Sequence, residues 1–154
     1  MKKAKRIALV VCTFLLVILL TGCGKTPVDA EKFKSVMEGK GLQALDYSTY
    51  AQSEGAESAV FANDKEGKIS GGYLKYESVD RAKTEYESEV KEVEKNKVSG
   101  SINTSVSVGN YDKYTLTYSG KYSVVERVED TIVFLVADED QKSVVENILK
   151  ELGY

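Results

Sequence analysis

The chain has no histidine, and its two thiols are Cys12 and Cys23. Chemistry therefore falls to carboxylates, lysines, arginines, tyrosines and hydroxyls. A triad hydrolase needs histidine or a substitute base, and nothing here supplies one. Paired carboxylates of the kind that cleave glycosides need a spacing across a cleft that acidic abundance alone does not provide. The one strand residue that stands out is Arg127. Alternation sets it beside Ser123 and Val125, on the sheet face opposite Tyr122 and Val124. If that face is open, Arg127 with Tyr111, Lys113 and Thr115 forms a candidate binding surface, polar and partly aromatic, suited to a peptide or an acidic ligand. The competing reading is a surface arginine paired with a nearby glutamate.

Three further clusters imitate sites. Gly24-Lys25-Thr26 resembles the end of a phosphate-binding loop, but that pattern needs glycine at position 19, which is Leu19. Asp64 and Glu66 before Gly67 suggest a calcium loop, yet with Gly67 at loop position six the first and twelfth positions fall on Ala62 and Tyr73. This is a turn. Asp138-Glu139-Asp140 reads as the acidic first turn of a helix, complementing its dipole, and no metal or cofactor is expected.

The ends of the chain set its address. Lys2, Lys3, Lys5 and Arg6 lead into an apolar run over 7–20, interrupted by Thr13 and followed by Leu20-Thr21-Gly22-Cys23. The run is shorter than the ~20 residues of a membrane-spanning helix and fits the core of a cleaved leader. The tetrapeptide resembles the bacterial lipobox, in which small residues precede a cysteine that is diacylated before the leader is removed. That resemblance implies lipidation of Cys23 and anchoring on the outer face of the cell membrane. Two acyl chains, at ~0.8 kcal/mol per buried methylene, are enough for stable attachment. The expected organisation is a leader over 1–22, the lipidated Cys23 with a short tether over 23–28, and a single domain over 29–154. With Cys12 in the leader and Cys23 acylated, the mature domain carries no free thiol and no disulfide.

Removal of the leader takes four of the 21 basic residues and none of the 24 acidic ones, leaving a net charge of −7. A domain this acidic is a poor partner for nucleic acid or anionic wall polymers. All ten tyrosines lie in it, as expected where tyrosines fill a half-buried sheet.

Patterning predicts the order helix, three strands, helix, four strands, helix. Thr26-Pro27 has the form of a helix start, with Val28, Phe33, Val36 and Met37 turned to a core and a stop at Gly39 or Gly41. A strand over 42–47 precedes a polar loop and a hairpin over 58–62 and 69–76. Ser78 caps a long helix reaching about Asn96, with Val79, Ala82, Tyr86, Val90 and Val93 on one face. Strands over 102–108, 111–118, 121–128 and 131–137 follow, joined by two-residue turns as an antiparallel meander. The last strand is apolar on both faces and belongs in the sheet interior. Asp138 is the expected cap of a terminal helix with Val144, Val145, Ile148, Leu149 and Leu152 along one stripe. The class is α+β, a mostly antiparallel sheet with a C-terminal four-strand meander and helices packed on one face.

With its lipobox, an opening helix ending near a glycine, a tyrosine-rich meander and a terminal Leu-Gly-Tyr, the chain resembles the small uncharacterised lipoproteins of Gram-positive bacteria. The resemblance implies a place and no activity. The functional expectation is a non-catalytic, lipid-anchored extracytoplasmic binding or accessory domain. Its partners would be the membrane through Cys23 and another envelope protein or peptide, with no nucleic acid. The alternatives are a carboxylate-dependent envelope enzyme and an inhibitory or structural lipoprotein.

Overall fold

The computed structural model describes residues 24–154; the leader and Cys23 lie outside them. Helix α1 (Ala30–Gly39) leads to strand β1 (Gln43–Asp46), a helical turn over 48–54, and the hairpin β2 (Ala56–Asn63) and β3 (Ile69–Tyr76). Helix α2 (Val79–Glu94) follows. The meander is β4 (Ile102–Val108), β5 (Tyr111–Tyr118), β6 (Lys121–Val128) and β7 (Thr131–Asp138), and α3 (Lys142–Leu152) closes the chain. The seven strands form one antiparallel sheet in the order β1-β2-β3-β7-β6-β5-β4, so β7 lies at its centre between β3 and β6. The β5–β6 turn has Ser119 and Gly120 at φ 46° and 74°, the left-handed pair that a two-residue hairpin of native twist requires.

The α+β class, the antiparallel sheet and the meander are as expected. Two helices share one face. Phe33 and Met37 of α1, with Val145, Ile148, Leu149 and Leu152 of α3, bury against Val60, Tyr73, Tyr122, Val124, Val133 and Leu135. Each such side chain contributes about 1.5–3 kcal/mol by leaving water. Helix α2 departs from the one-face arrangement. It crosses the opposite face, where Ala82, Tyr86, Val90 and Val93 pack on Ala59, Tyr76, Val125 and Ile132. The cause lies in the central strands: β7 and β6 carry apolar side chains on both sides, and a sheet buried on both sides needs cover on both.

Two caps also differ from expectation. Helix α1 begins at Ala30, and Asp29 is its cap, with its carboxylate accepting from the Lys32 N–H at 2.7 Å. Thr26 and Pro27 precede the helix because Val28 turns into the core before it starts. Asp138 stays at the end of β7, where Lys121 Nζ takes its carboxylate at 2.5 Å, and α3 starts after a 3-10 turn at Glu139–Gln141. No helix among the described residues is long and apolar enough to cross a membrane.

Candidate functional site

Register decides what the candidate surface residues can do together. In the β5–β6 pair Arg127 stands opposite Asp112, Lys113 opposite Glu126, and Thr115 opposite Val124. Arg127 therefore points to the α2 face, while Tyr111, Lys113 and Thr115 point to the face of α1 and α3. The four residues do not form one surface. Cys23 lies outside the described residues.

Arg127 is 1% exposed. Its Nε and Nη2 both lie 2.6 Å from Asp112 Oδ2, and Nη1 donates to the Glu129 carbonyl at 2.7 Å. Asp112 Oδ1 accepts from Ser107 Oγ at 2.5 Å. These groups floor a cleft of about 380 Å³ between α2 and β4, rimmed by Lys83, Tyr86 and Ser105. A guanidinium engaged in this way is a structural tie, and its partner is Asp112 rather than a glutamate.

On the other face, Glu126 is fully buried, and its counter-ion is Lys113, with Nζ 2.8 Å from Oε1. Lys113 Nζ also reaches Glu146 Oε2 of α3 at 3.4 Å, and the Tyr122 hydroxyl donates to Glu146 Oε1. Burial, then the Glu126 carboxylate, pushes the Tyr111 phenol well above its ordinary pKa. Burial and the Glu146 hydrogen bond do the same for Tyr122. Thr115 Oγ1 pairs with Thr104 Oγ1 at 2.7 Å. The cluster joins one ammonium to two carboxylates beneath α3, with Glu126 fully buried and Lys113 and Glu146 partly exposed.

Carboxylate pairs suited to hydrolysis would need to face each other. Glu85 and Glu89 stand one turn apart on α2. Burial, then Glu85 and Glu92, raises the pKa of Glu89, and Glu85 pairs with Arg81 at 2.7 Å. The cleft they enter, lined by Leu74, Tyr76 and Phe61, takes no carboxylate from another element among the described residues. Among the described residues no three metal-ligating side chains come together.

What the charged residues do not offer, an apolar hollow does. Across four strands the register lines up Leu45, Phe61, Gly72 and Phe134 on the α2 face, running from the flank of the helix out to the β1 edge. Tyr47 meets Phe61 edge-on at 5.4 Å between centroids, and Phe61 meets Phe134 at 5.9 Å, both arrangements that aromatic quadrupoles favour. Gly72 makes this possible: a Cβ there would lie 2.6 Å from Phe134 Cζ and 3.0 Å from Phe61 Cδ1. The hollow beside these rings has a volume of about 450 Å³ and is lined by Leu45, Tyr47, Phe61 and Asn63. Leu45, Tyr47 and Phe61 remain 45%, 44% and 39% exposed. Sequence reading passes over them, although Ala44-Leu45 and Val60-Phe61 are apolar neighbours on strands, a sign that both faces carry apolar surface.

No protein-family model matches the chain, and no curated protein matches it. Similar solved structures include a GTP-binding regulator from Thermotoga maritima, at 15% identity over 81% of this chain and 84% of that one, with a TM-score of 0.48. Another is the extracellular domain of PknH from Mycobacterium tuberculosis, at 6% identity over 82% and 90%, with a TM-score of 0.43. Neither likeness bears on what this chain does.

Proposed function

We propose that the chain is a non-catalytic, lipid-anchored extracytoplasmic binding domain of the cell envelope, held to the membrane through Cys23 and receiving an apolar segment of an envelope protein in the hollow of Leu45, Tyr47 and Phe61. The anchor rests on Leu20-Thr21-Gly22-Cys23 behind a basic and apolar leader. The binding role rests on one observation: three large apolar side chains stand 39–45% exposed around one concave surface, at the opposite edge of the sheet from β4, whose Ile102, Val106 and Val108 are also exposed. Contiguous exposed apolar surface is costly to keep in water and marks contact sites. The buried charges support the non-catalytic reading, because Arg127, Lys113 and Glu126 are each held in an internal pair.

The test is a photocrosslinking side chain placed at Leu45, with Lys65 on the exposed β2–β3 turn as control, in the lipidated protein on intact cells. A discrete adduct from Leu45 that is absent from Lys65 and lost in Phe61→Ser is the expected result. Equal or no adducts at both positions would count against the hollow as a binding surface.

A further inference from the structure

The described chain opens at one end of the sheet, against the β4–β5 turn, where the Asn110 side chain grips its backbone. The Asn110 carboxamide brackets Lys25: the Lys25 N–H donates to Oδ1 at 3.1 Å, and Nδ2 donates to the Lys25 carbonyl at 2.7 Å. These are the two hydrogen bonds that a neighbouring strand would make. Asn110 is itself tied to the β6–β7 turn. Its Nδ2 lies 3.1 Å from Glu129 Oε1, and its carbonyl accepts from the Glu129 N–H at 3.0 Å. The Lys25 ammonium sits 3.9 Å over the Tyr111 ring. Three residues on, Val28 is buried in the core and Asp29 caps α1, so the segment is fastened at both ends. Gly24 fits closely: a Cβ there would lie 3.3 Å from the Asn110 side chain.

Position 23 is the cysteine of the lipobox-like tetrapeptide. Consecutive Cα atoms are about 3.8 Å apart, so acyl chains on Cys23 would leave the domain beside Asn110. A loose stalk would let the domain tumble over the membrane; a bracketed one does not.

We propose that in the lipidated protein the lipid headgroup surface lies against the end of the sheet formed by the 109–110 and 129–130 turns, and that the Asn110 bracket holds the domain in this one orientation. The inference rests on the lipid anchor at Cys23 proposed above. The β2–β3 turn then points away from the membrane, at the far end of strands that span about 27 Å. Glu129 and Asp130 form the turn at this end, and such carboxylates favour contact at headgroup depth over insertion into the acyl region.

The experiment uses the full lipidated chain in phosphatidylcholine vesicles containing a nickel-chelating lipid. Because the mature chain has no other free thiol, a nitroxide can be placed singly at Val108→Cys, exposed beside the 109–110 turn, or at Lys65→Cys, on the β2–β3 turn. Relaxation enhancement at position 108 at least five-fold above that at position 65 is expected, and Asn110→Ala should reduce the difference to within two-fold while the protein stays folded and vesicle-bound. Equal enhancement at the two positions in acylated, vesicle-bound protein would overturn the orientation, and an unchanged difference in Asn110→Ala would overturn the role of the bracket. Mass spectrometry of the same samples separates the premise: absence of acyl groups on Cys23 overturns the anchor, and the orientation with it.

Discussion

The Lys113–Glu126 pair makes an asymmetric prediction. Glu126 is fully buried, and its ion-pair partner is Lys113, whose side chain is 21% exposed and has a second carboxylate, Glu146, within 3.4 Å. Lys113→Met leaves a fully buried carboxylate without its ion-pair partner, with the Lys25 ammonium acting on it only from over the Tyr111 ring, a change that costs about 3–5 kcal/mol in buried pairs. Glu126→Leu leaves a lysine that still reaches Glu146 and water, and a partly exposed pair is worth about 1 kcal/mol or less. Replacing both removes the desolvated charge altogether and should recover most of the loss, since an apolar pair of similar volume is often neutral or stabilising in such a place. In urea, with a slope of about 1.5 kcal/mol per molar, Lys113→Met should lower the unfolding midpoint by about 2–3 M and Glu126→Leu by well under 1 M. The double variant should return close to the parent. The reasoning is refuted if Lys113→Met costs no more than Glu126→Leu, or if the two losses simply add.

Three further outcomes are expected. Asp29→Ala should lose about 1 kcal/mol by removing the bond to the Lys32 N–H, while Thr26→Ala should leave the urea midpoint unchanged. Gly71→Ala should cost about 3 kcal/mol or more, because its Cβ would lie 2.2 Å from the Phe134 carbonyl and 2.5 Å from Leu135 Cδ2; Gly67→Ala, in open space at φ 71°, should cost about 1 kcal/mol. Alkali should unfold the domain. Burial raises the phenols of Tyr73, Tyr86, Tyr111, Tyr122 and Tyr154 and pushes Tyr76 up to about 12, so the folded state keeps protons that the unfolded state releases near pH 10. Stability should then fall between pH 10 and 12, by up to about 1.4 kcal/mol per pH unit for each phenol so held. Phenolate absorbance rising in step with loss of near-ultraviolet dichroism checks it; full tyrosine titration in a still-folded protein would contradict it.

Much of the architecture is legible in local pattern. Turn chemistry at Ser119-Gly120 and the alternation in β5 and β6 specify the meander, because a two-residue left-handed turn admits one register. That register also contains the correction to the candidate surface. Pairing Tyr118 with Lys121 across the turn puts Asp112, and neither Tyr111 nor Lys113, opposite Arg127. The face taken by α2 was equally implicit: residues 131–137 are apolar on both sides, and helices on one side alone would leave Ile132 and Phe134 in water. Other features have no local signature. Asp29 prevails over Thr26 as cap because Val28 finds a place in the core, which depends on α3, more than a hundred residues away. The hollow at Phe61 depends on β3 lying between β2 and β7 and on α2 stopping short of β1, both consequences of strand order.

The buried polar residues acquire a common purpose when their bonds are followed outward. Arg127, anchored on Asp112, holds the Glu129 carbonyl, and Glu129 sits in the left-handed region at φ 53°, a conformation that a non-glycine residue adopts at a cost. In that conformation its N–H meets the Asn110 carbonyl and its carboxylate meets Asn110 Nδ2, which steadies the carboxamide that brackets Lys25. A continuous path of hydrogen bonds thus runs from a guanidinium inside the α2 face to the first described residues of the chain. Lys113 and Glu126 act on the other face of the same two strands, beneath Tyr111, whose ring carries the Lys25 ammonium. The two fully buried charges among the described residues, Arg127 and Glu126, thus lie at the end of β6 next to the turn that holds Lys25. The apolar hollow lies at the β1–β2 edge, away from that network, so a partner seated there need not disturb the attachment. The anchored binding role proposed above requires that separation: one end of the sheet for the attachment, and a distant edge left free to bind.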